Sequence, residues 1–442
     1  MSFSTTYLTC LIIGSSLLLS SCKNRPPAEQ SASASEEEVS STNQQIAANQ
    51  QVYPQGKAFP FMGYSGVPAR DAGFGFSVAG PSYGKQEAPL RHAQEAGLPY
   101  PYLISIKMDF LSKKPLRLSE KEIHDQITKQ VKAVVDNQSI CWWYLGPEEL
   151  RHWRKNELDY LRIATAAIRA ADPHNRPIWM YEPNHRNAAS LTETGKYQDI
   201  IGKGFYCNLA GFQNSRVWIK WSMQQQTEAA AALEKADGRK RTPLVMPELC
   251  ADPKDPAHDH LIPKWTRHDV YLGLMCGGKG VAIWSLFPRR EVSRTWQLWY
   301  DSYAHLANEL TGSRKLGQVF LHGKKTNKYP LSILSGPKEI AMVKGSKNNL
   351  ESRTSSEDEM KEKALKFPAL TVSEYHYEGS TYVFICNSSS SDTIKFQSTK
   401  YAKDAIVREM FSMKRHYDKN HHLYGWLGPL QVRCYKIDLP NN

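Results

Sequence analysis

Ile140-Cys141-Trp142-Trp143-Tyr144-Leu145 runs into Gly146-Pro147-Glu148-Glu149 and then into a helical stretch from Asn156 to Ala171. Six apolar residues stopped by Gly-Pro have the length of a buried strand, and the stretch that follows repeats its apolar positions at helical spacing. Seven further short runs follow the same plan: Phe59-Tyr64, Phe76-Gly80, Tyr102-Met108, Ile178-Tyr181, Ile200-Tyr206, Leu244-Met246 and Val281-Leu286. Helical stretches such as Glu120 to Val135 and Gln224 to Ala236 lie between most of them. Strands alternating with helices predict βα units on a parallel sheet. Eight such units in about 250 residues match a (β/α)₈ TIM barrel, expected over residues 53–313. A doubly wound open sheet is the competing arrangement, but no glycine-rich phosphate-binding turn follows the first run.

From about Lys315 the texture changes to short alternating runs of Val, Ile, Tyr and Phe between Gly, Asn and Ser. Leu370-Tyr377, Thr381-Asn387, Ala405-Phe411 and Gln431-Ile437 are the clearest, and they predict a small C-terminal antiparallel β-sandwich over residues 314–442. The charged interruption from Glu351 to Lys363 reads as a solvated loop. Beyond Cys10 and Cys22 the chain holds Cys141, Cys207, Cys250, Cys276, Cys386 and Cys434. The first four fall in barrel segments and read as buried thiols. Cys386 and Cys434 lie on strand-like runs, where pairing and free thiols both remain open. No Cys/His pair has metal-ligand spacing, so neither metal nor cofactor is expected. Asp252, Asp255, His258, Asp259 and His260 follow the seventh run with mixed spacing interrupted by prolines, and read as a solvated loop.

Reactive groups of such barrels sit where strands end and the loops open into the mouth. The fourth run ends in Glu148 and Glu149, and the seventh, Leu244-Val245-Met246, runs through Pro247 into Glu248. Two strand-end glutamates are what retaining cleavage of a glycosidic bond needs: one acid for the leaving oxygen and one carboxylate for the anomeric carbon. A structural alternative places Glu148 and Glu149 in the first turn of a helix, where its dipole favours acidic side chains. Glu248 precedes Leu249-Cys250, an apolar setting in which a charge is costly without a purpose. The fifth run ends in Tyr181-Glu182-Pro183-Asn184-His185-Arg186, of which Tyr181, Glu182 and His185 are candidates to hydrogen-bond sugar hydroxyls. Lys107 and Asp109 follow the third run. Arg289, Arg290 and Arg294 surround Glu291 after the eighth, where they form either a surface cluster or a bidentate grip on an anionic glycan.

These residues resemble clan A of the retaining glycoside hydrolases, whose acid/base glutamate follows strand four and whose nucleophile follows strand seven. The resemblance implies Glu148 as acid/base and Glu248 as nucleophile. It also implies Tyr206, in Gly204-Phe205-Tyr206, as the residue that orients the nucleophile, and Trp284, in Ile283-Trp284-Ser285, as the floor of the sugar subsite. The clan carries asparagine before the acid/base, where this chain has Pro147, and Glu149 is the fallback acid. The expected partner is an oligo- or polysaccharide. Two other readings are carried beside hydrolysis: a barrel that binds glycans at the cell surface without turnover, and a scaffold for partner proteins.

The N-terminal run Leu8 to Ser21 is apolar, too short to span a bilayer, and ends in Leu19-Ser20-Ser21-Cys22. It resembles the export segment of bacterial lipoproteins, which implies cleavage before residue 22, lipidation of Cys22 and a membrane held through that lipid. Lys23 directly after the cysteine resembles lipoproteins passed to an outer membrane. Residues 23–52 are rich in Ser, Ala, Gln and Glu and predict a flexible tether. The formal charge of +12 would raise nucleic acid as a partner in a cytoplasmic protein. In an exported one it fits an anionic surface or polymer instead, so no nucleic acid is expected.

Overall fold

The computed structural model describes residues 52–106, 118–208, 216–249, 251–287, 293–342 and 366–439. The export segment with Cys22, most of the tether, Lys107, Asp109, Cys250, Arg289, Arg290, Glu291 and the Glu351 to Lys363 stretch lie outside the described residues.

Seven of the eight apolar runs form one parallel sheet. Its strands are β1 (Phe61–Gly63), β2 (Tyr100–Ser105), β3 (Ile140–Gly146), β4 (Ile178–Glu182), β5 (Ile200–Gly204), β6 (Thr242–Met246) and β7 (Val281–Ile283), in the order β1-β7-β6-β5-β4-β3-β2. The last strand returns beside the first, with Met62 opposite Ala282, so the sheet curls on itself. Between β1 and β2, where an eighth strand was expected, the Phe76-Gly80 run crosses without forming a ladder. Ser77 explains this. Its backbone N–H donates to Phe61 O at 3.0 Å, while its hydroxyl accepts from Phe61 N at 2.9 Å and donates to Phe59 O at 2.6 Å. A side chain thus takes the bonds a ladder would use, and Ala79 N reaches across to Pro99 O at 2.9 Å. Gly80 passes so close to β1 that a Cβ there would stand 1.8 Å from Gly63 O. Among the described residues the barrel has seven hydrogen-bonded strands and one irregular bridging segment.

Alternation along the strands sorts side chains between two cores. Trp142 and Tyr144 of β3 join Trp179, Tyr181, Leu244, Met246 and Ala282 inside the sheet. Trp143 and Leu145 face outward with Ile123, Ile127, Tyr160 and Ile168 of the helices Glu120–Lys132 and Lys155–Ala171. Trp142, Trp143 and Trp179 are fully buried, each worth roughly 4–6 kcal/mol of gross apolar burial before entropy is set against it. Ser119 and Glu122 cap the first of these helices reciprocally, a capping box that fixes where it starts.

The C-terminal strands are antiparallel. One sheet orders β15 (Ile406–Glu409), β17 (Val432–Asp438), β13 (Ser380–Asn387), β12 (Leu370–Tyr377) and β8 (Lys324–Thr326). A second orders β16 (His422–Leu427), β14 (Ile394–Lys400) and β9 (Leu331–Ser335), and β10 (Glu339–Ala341) pairs with β11 (Lys366–Pro368). Val383 and Ile385 of β13 share a core with Ile394 and Phe396 of β14 and Leu423 and Leu427 of β16. Phe384 and Cys386, the alternate residues, pack with Tyr271 of the helix Ile262–Met275 and Phe320 of the helix Leu316–His322. The five-stranded sheet is therefore buried on both faces. Cys386 and Cys434 do not pair: both are free and buried, and the register sets Cys434 opposite Phe384 and Cys386 opposite Val432. Cys141, Cys207 and Cys276 are also free.

Candidate active site

The alternation that turns Trp142 and Tyr144 inward continues through Gly146 to Glu148, and that of Leu244 and Met246 continues to Glu248. Both glutamates therefore leave their strands on the inner side. Neither Glu148 nor Glu149 opens a helix, which begins only at Lys155. Glu149 turns away through a left-handed backbone, φ 59°, its N–H donating to Tyr181 O at 3.2 Å.

Glu148 meets a cluster of phenols. Tyr83 donates to its Oε1 at 2.8 Å, Tyr144 donates to the same oxygen, and the Tyr64 hydroxyl lies 3.1 Å from that of Tyr144. Burial pushes the Glu148 carboxyl up to about 8; the Tyr83 hydrogen bond opposes this and the nearby Glu149 charge adds to it. Glu148 thus holds a proton at neutral pH. Burial, then the charge of Glu148, lifts the Tyr64 and Tyr83 phenols well above their ordinary range, so they remain donors.

Glu248 is held from the backbone outward. It forms a β-bridge with Trp284, with Trp284 N donating to Pro247 O at 2.9 Å and Leu249 N to Trp284 O at 2.7 Å. Tyr303 donates to its carbonyl oxygen at 2.7 Å, and the Asn208 backbone N–H donates to its Oε1. Asn208 also spans to Ala251 O and Asp252 O at 2.9 and 3.1 Å. The Glu248 charge favours the cationic form of Arg216, a buried guanidinium whose chief partner is Asp269, Nε to Oδ1 2.8 Å. Burial alone would raise the Asp269 carboxyl, yet the charge of Arg216 holds it below its usual range. His268 continues the chain, 3.0 Å from Asp269 and 3.1 Å from the Ser388 hydroxyl of the C-terminal region.

Aromatic rings join the two glutamates. Tyr206 stacks on Tyr181, centroids 6.2 Å apart and 5° between planes, and on Trp284 at 5.4 Å and 25°. Tyr83 hydrogen-bonds both Glu148 and the Trp284 indole, and Trp284 is the bridge partner of Glu248. Glu148, Glu248, Tyr181, Tyr206 and Trp284, all named from sequence, therefore gather at one end of the sheet.

Glu182 does not join them. It shares the outer face with Met180, is fully buried, accepts from Gln198 Nε2 at 3.0 Å and lies 3.6 Å from Arg186 Nε. Its strand neighbour is Lys203, whose ammonium lies 3.9 Å from the Trp221 ring centroid. His185 is buried in the loop that follows β4. The acidic loop after β6 is structural: Asp252 accepts from Ser293 and Thr295, Asp255 caps the short helix Pro256–Leu261, and Asp259 pairs with Arg294 at 2.7 Å. Sequence reading missed Tyr64, Tyr83, Tyr144, Asn208 and Arg216. Of these only Tyr144 carried a signal, its parity with Glu148.

No family model and no curated protein matches the chain. Among solved structures it is similar to a protein described as a glycoside hydrolase, with 11% identity, 88% of this chain and 95% of the other covered, and a TM-score of 0.54. A GH27 β-L-arabinopyranosidase from Geobacillus stearothermophilus aligns at 10% identity over 89% and 98% with a TM-score of 0.46. A GH30 endoxylanase from Clostridium papyrosolvens aligns at 10% over 86% and 96% with a TM-score of 0.45. At these identities the likeness is one of fold: the chain shares a barrel-type architecture with the first of them.

Proposed function

We propose that the chain hydrolyses glycosidic bonds of an oligo- or polysaccharide with retention, Glu148 serving as acid/base and Glu248 as nucleophile. The observation that carries this reading is the unequal surroundings of the two carboxyls. Glu148 is half-buried among phenols and keeps its proton at neutral pH, whereas Glu248 accepts from a backbone N–H and lies in the field of the Arg216 cation. In the first step Glu148 gives its proton to the leaving oxygen while Glu248 attacks the anomeric carbon, forming a glycosyl ester. In the second, water attacks that carbon, Glu148 takes the proton of the water, and the ester bond to Glu248 breaks. The two carboxyls must then stand about 5–5.5 Å apart around the bound sugar. Trp284 floors the sugar ring, Tyr206 orients the nucleophile Glu248, and Tyr181 or His185 contacts hydroxyls. The barrel over 53–313 and the strands over 314–442 act at a bacterial cell envelope, no further from the membrane than a lipid on Cys22 and the tether of residues 23–52 allow.

The test is hydrolysis of a panel of aryl glycosides and polysaccharides by protein lacking residues 1–22. Glu148→Gln and Glu248→Gln should each lower kcat by roughly 10²–10⁴-fold or more. Activity that survives both changes refutes the pair. Glycan binding with no turnover in any variant replaces hydrolysis by capture, the reading that Pro147 in the clan's asparagine position favours.

A further inference from the structure

The outer face of the three-stranded sheet carries an aromatic pair that the barrel chemistry does not use. Along β16, Leu423 and Leu427 enter the shared core, while Tyr424 is 38% and Trp426 50% exposed. Register sets them in two rows. Trp426 stands opposite Lys395 of β14, and Tyr424 stands opposite Gln397, which in turn faces Ser332 of β9. The rings are two strand positions apart, about 6.5 Å along the strand. Lys395 joins them, its ammonium 5.1 Å from the Trp426 centroid and 5.3 Å from that of Tyr424. Leu334 of β9, at the point where the register with β14 shifts, is 50% exposed.

Charge and size say what such a surface fits. No carboxylate stands in either row. Asp392 at one end accepts from the hydroxyls of Ser389 and Ser391, and Asp418 at the other accepts from the His422 N–H. A stable protein partner needs a broad, largely apolar patch, whereas two rings interleaved with Lys395 and Gln397 are small and half polar. The C–H face of a pyranose packs on an aromatic ring, and an ammonium between two rings is placed to meet an anionic substituent.

We propose that Tyr424, Trp426 and Lys395 form a second glycan-binding surface, apart from the barrel mouth, which holds an acidic polysaccharide chain. Its pyranose rings stack on the two aromatics and its carboxylate or sulfate groups meet Lys395. The surface does not depend on hydrolysis in the barrel, and its readout is binding alone.

Native electrophoresis of the chain lacking residues 1–22, through gels containing sodium polygalacturonate, dextran sulfate or neutral dextran, tests it. The acidic polymers should retard the protein and dextran should not, with the two acidic gels separating carboxylate from sulfate recognition. Tyr424→Ala with Trp426→Ala leaves the net charge unchanged and should remove the retardation; Trp426→Phe should keep most of it. Trp284→Ala, in the barrel, should leave it intact. Retardation that survives the double aromatic change reflects the diffuse charge of a +12 chain and overturns the proposal. So does equal retardation by dextran, retardation by none of the polymers, or loss of it on Trp284→Ala.

Discussion

Glu148 owes its proton chiefly to burial, with the Tyr83 hydroxyl pulling the other way. In the proposed mechanism Glu148 works as an acid while protonated, so the rate should fall as pH rises through about 8. Tyr83 donates to the ionised carboxylate and stabilises it. Tyr83→Phe should therefore move the alkaline limb of the kcat/KM profile upward while leaving the acidic limb in place, a split that mere loosening of the loop would not give. The same group bears on stability. Its folded value near 8 lies above the ordinary 4.5, so the folded chain keeps a proton that the unfolded chain releases. That contribution is full below about pH 4.5 and is lost as the pH climbs through 8. Glu148→Gln should accordingly melt above the parent protein at pH 9, with the gap closing toward pH 4. Their position at strand ends made Glu148 and Glu248 legible in the sequence, whereas the parity of β4 sends Glu182 outward with Met180. Tyr83 stood in a Gly- and Pro-rich loop with no periodicity, so nothing local announced it.

At the level of elements, the segment that replaces an eighth strand depends on one hydroxyl. Ser77→Ala would leave Phe61 N and Phe59 O without their side-chain partner, a loss of about 1–3 kcal/mol for buried groups, read as a lower urea midpoint with an unchanged m-value. The run Phe76-Gly80 looked like a strand because apolar content carries no information about which atoms satisfy the neighbouring backbone. β12 was legible to the residue, since its Val and Tyr content marks a strand and the Gly379 turn ends it. β14 and β16 were not seen at all: their outward positions hold Lys395, Tyr424 and Trp426, which mix polar and aromatic character and blur the period. Nor could Cys386 and Cys434 be resolved by sequence, because whether two thiols meet depends on a register that only the pairing of β13 with β17 fixes.

For the whole molecule, the described residues fall in one compact unit, and β13 shows why. Phe384 packs toward the barrel helices while Val383 and Ile385 pack toward the second sheet. Phe384→Ala should cost about 3–5 kcal/mol and lower the melting temperature of barrel and C-terminal strands together, as a single transition by calorimetry and by near-UV circular dichroism. Two separate transitions would show that the shared sheet does not couple them. The fold class was readable because strand and helix periods alternate over the whole first part of the chain. The coupling was not, for a run such as Val383-Phe384-Ile385-Cys386 is simply apolar in sequence and does not name its two neighbours. A sheet claimed from both sides also bears on ancestry. Its strands cannot be exchanged as a cassette for those of another protein, because a newcomer would have to match two unrelated surfaces at once, so the two halves of this chain are expected to descend together.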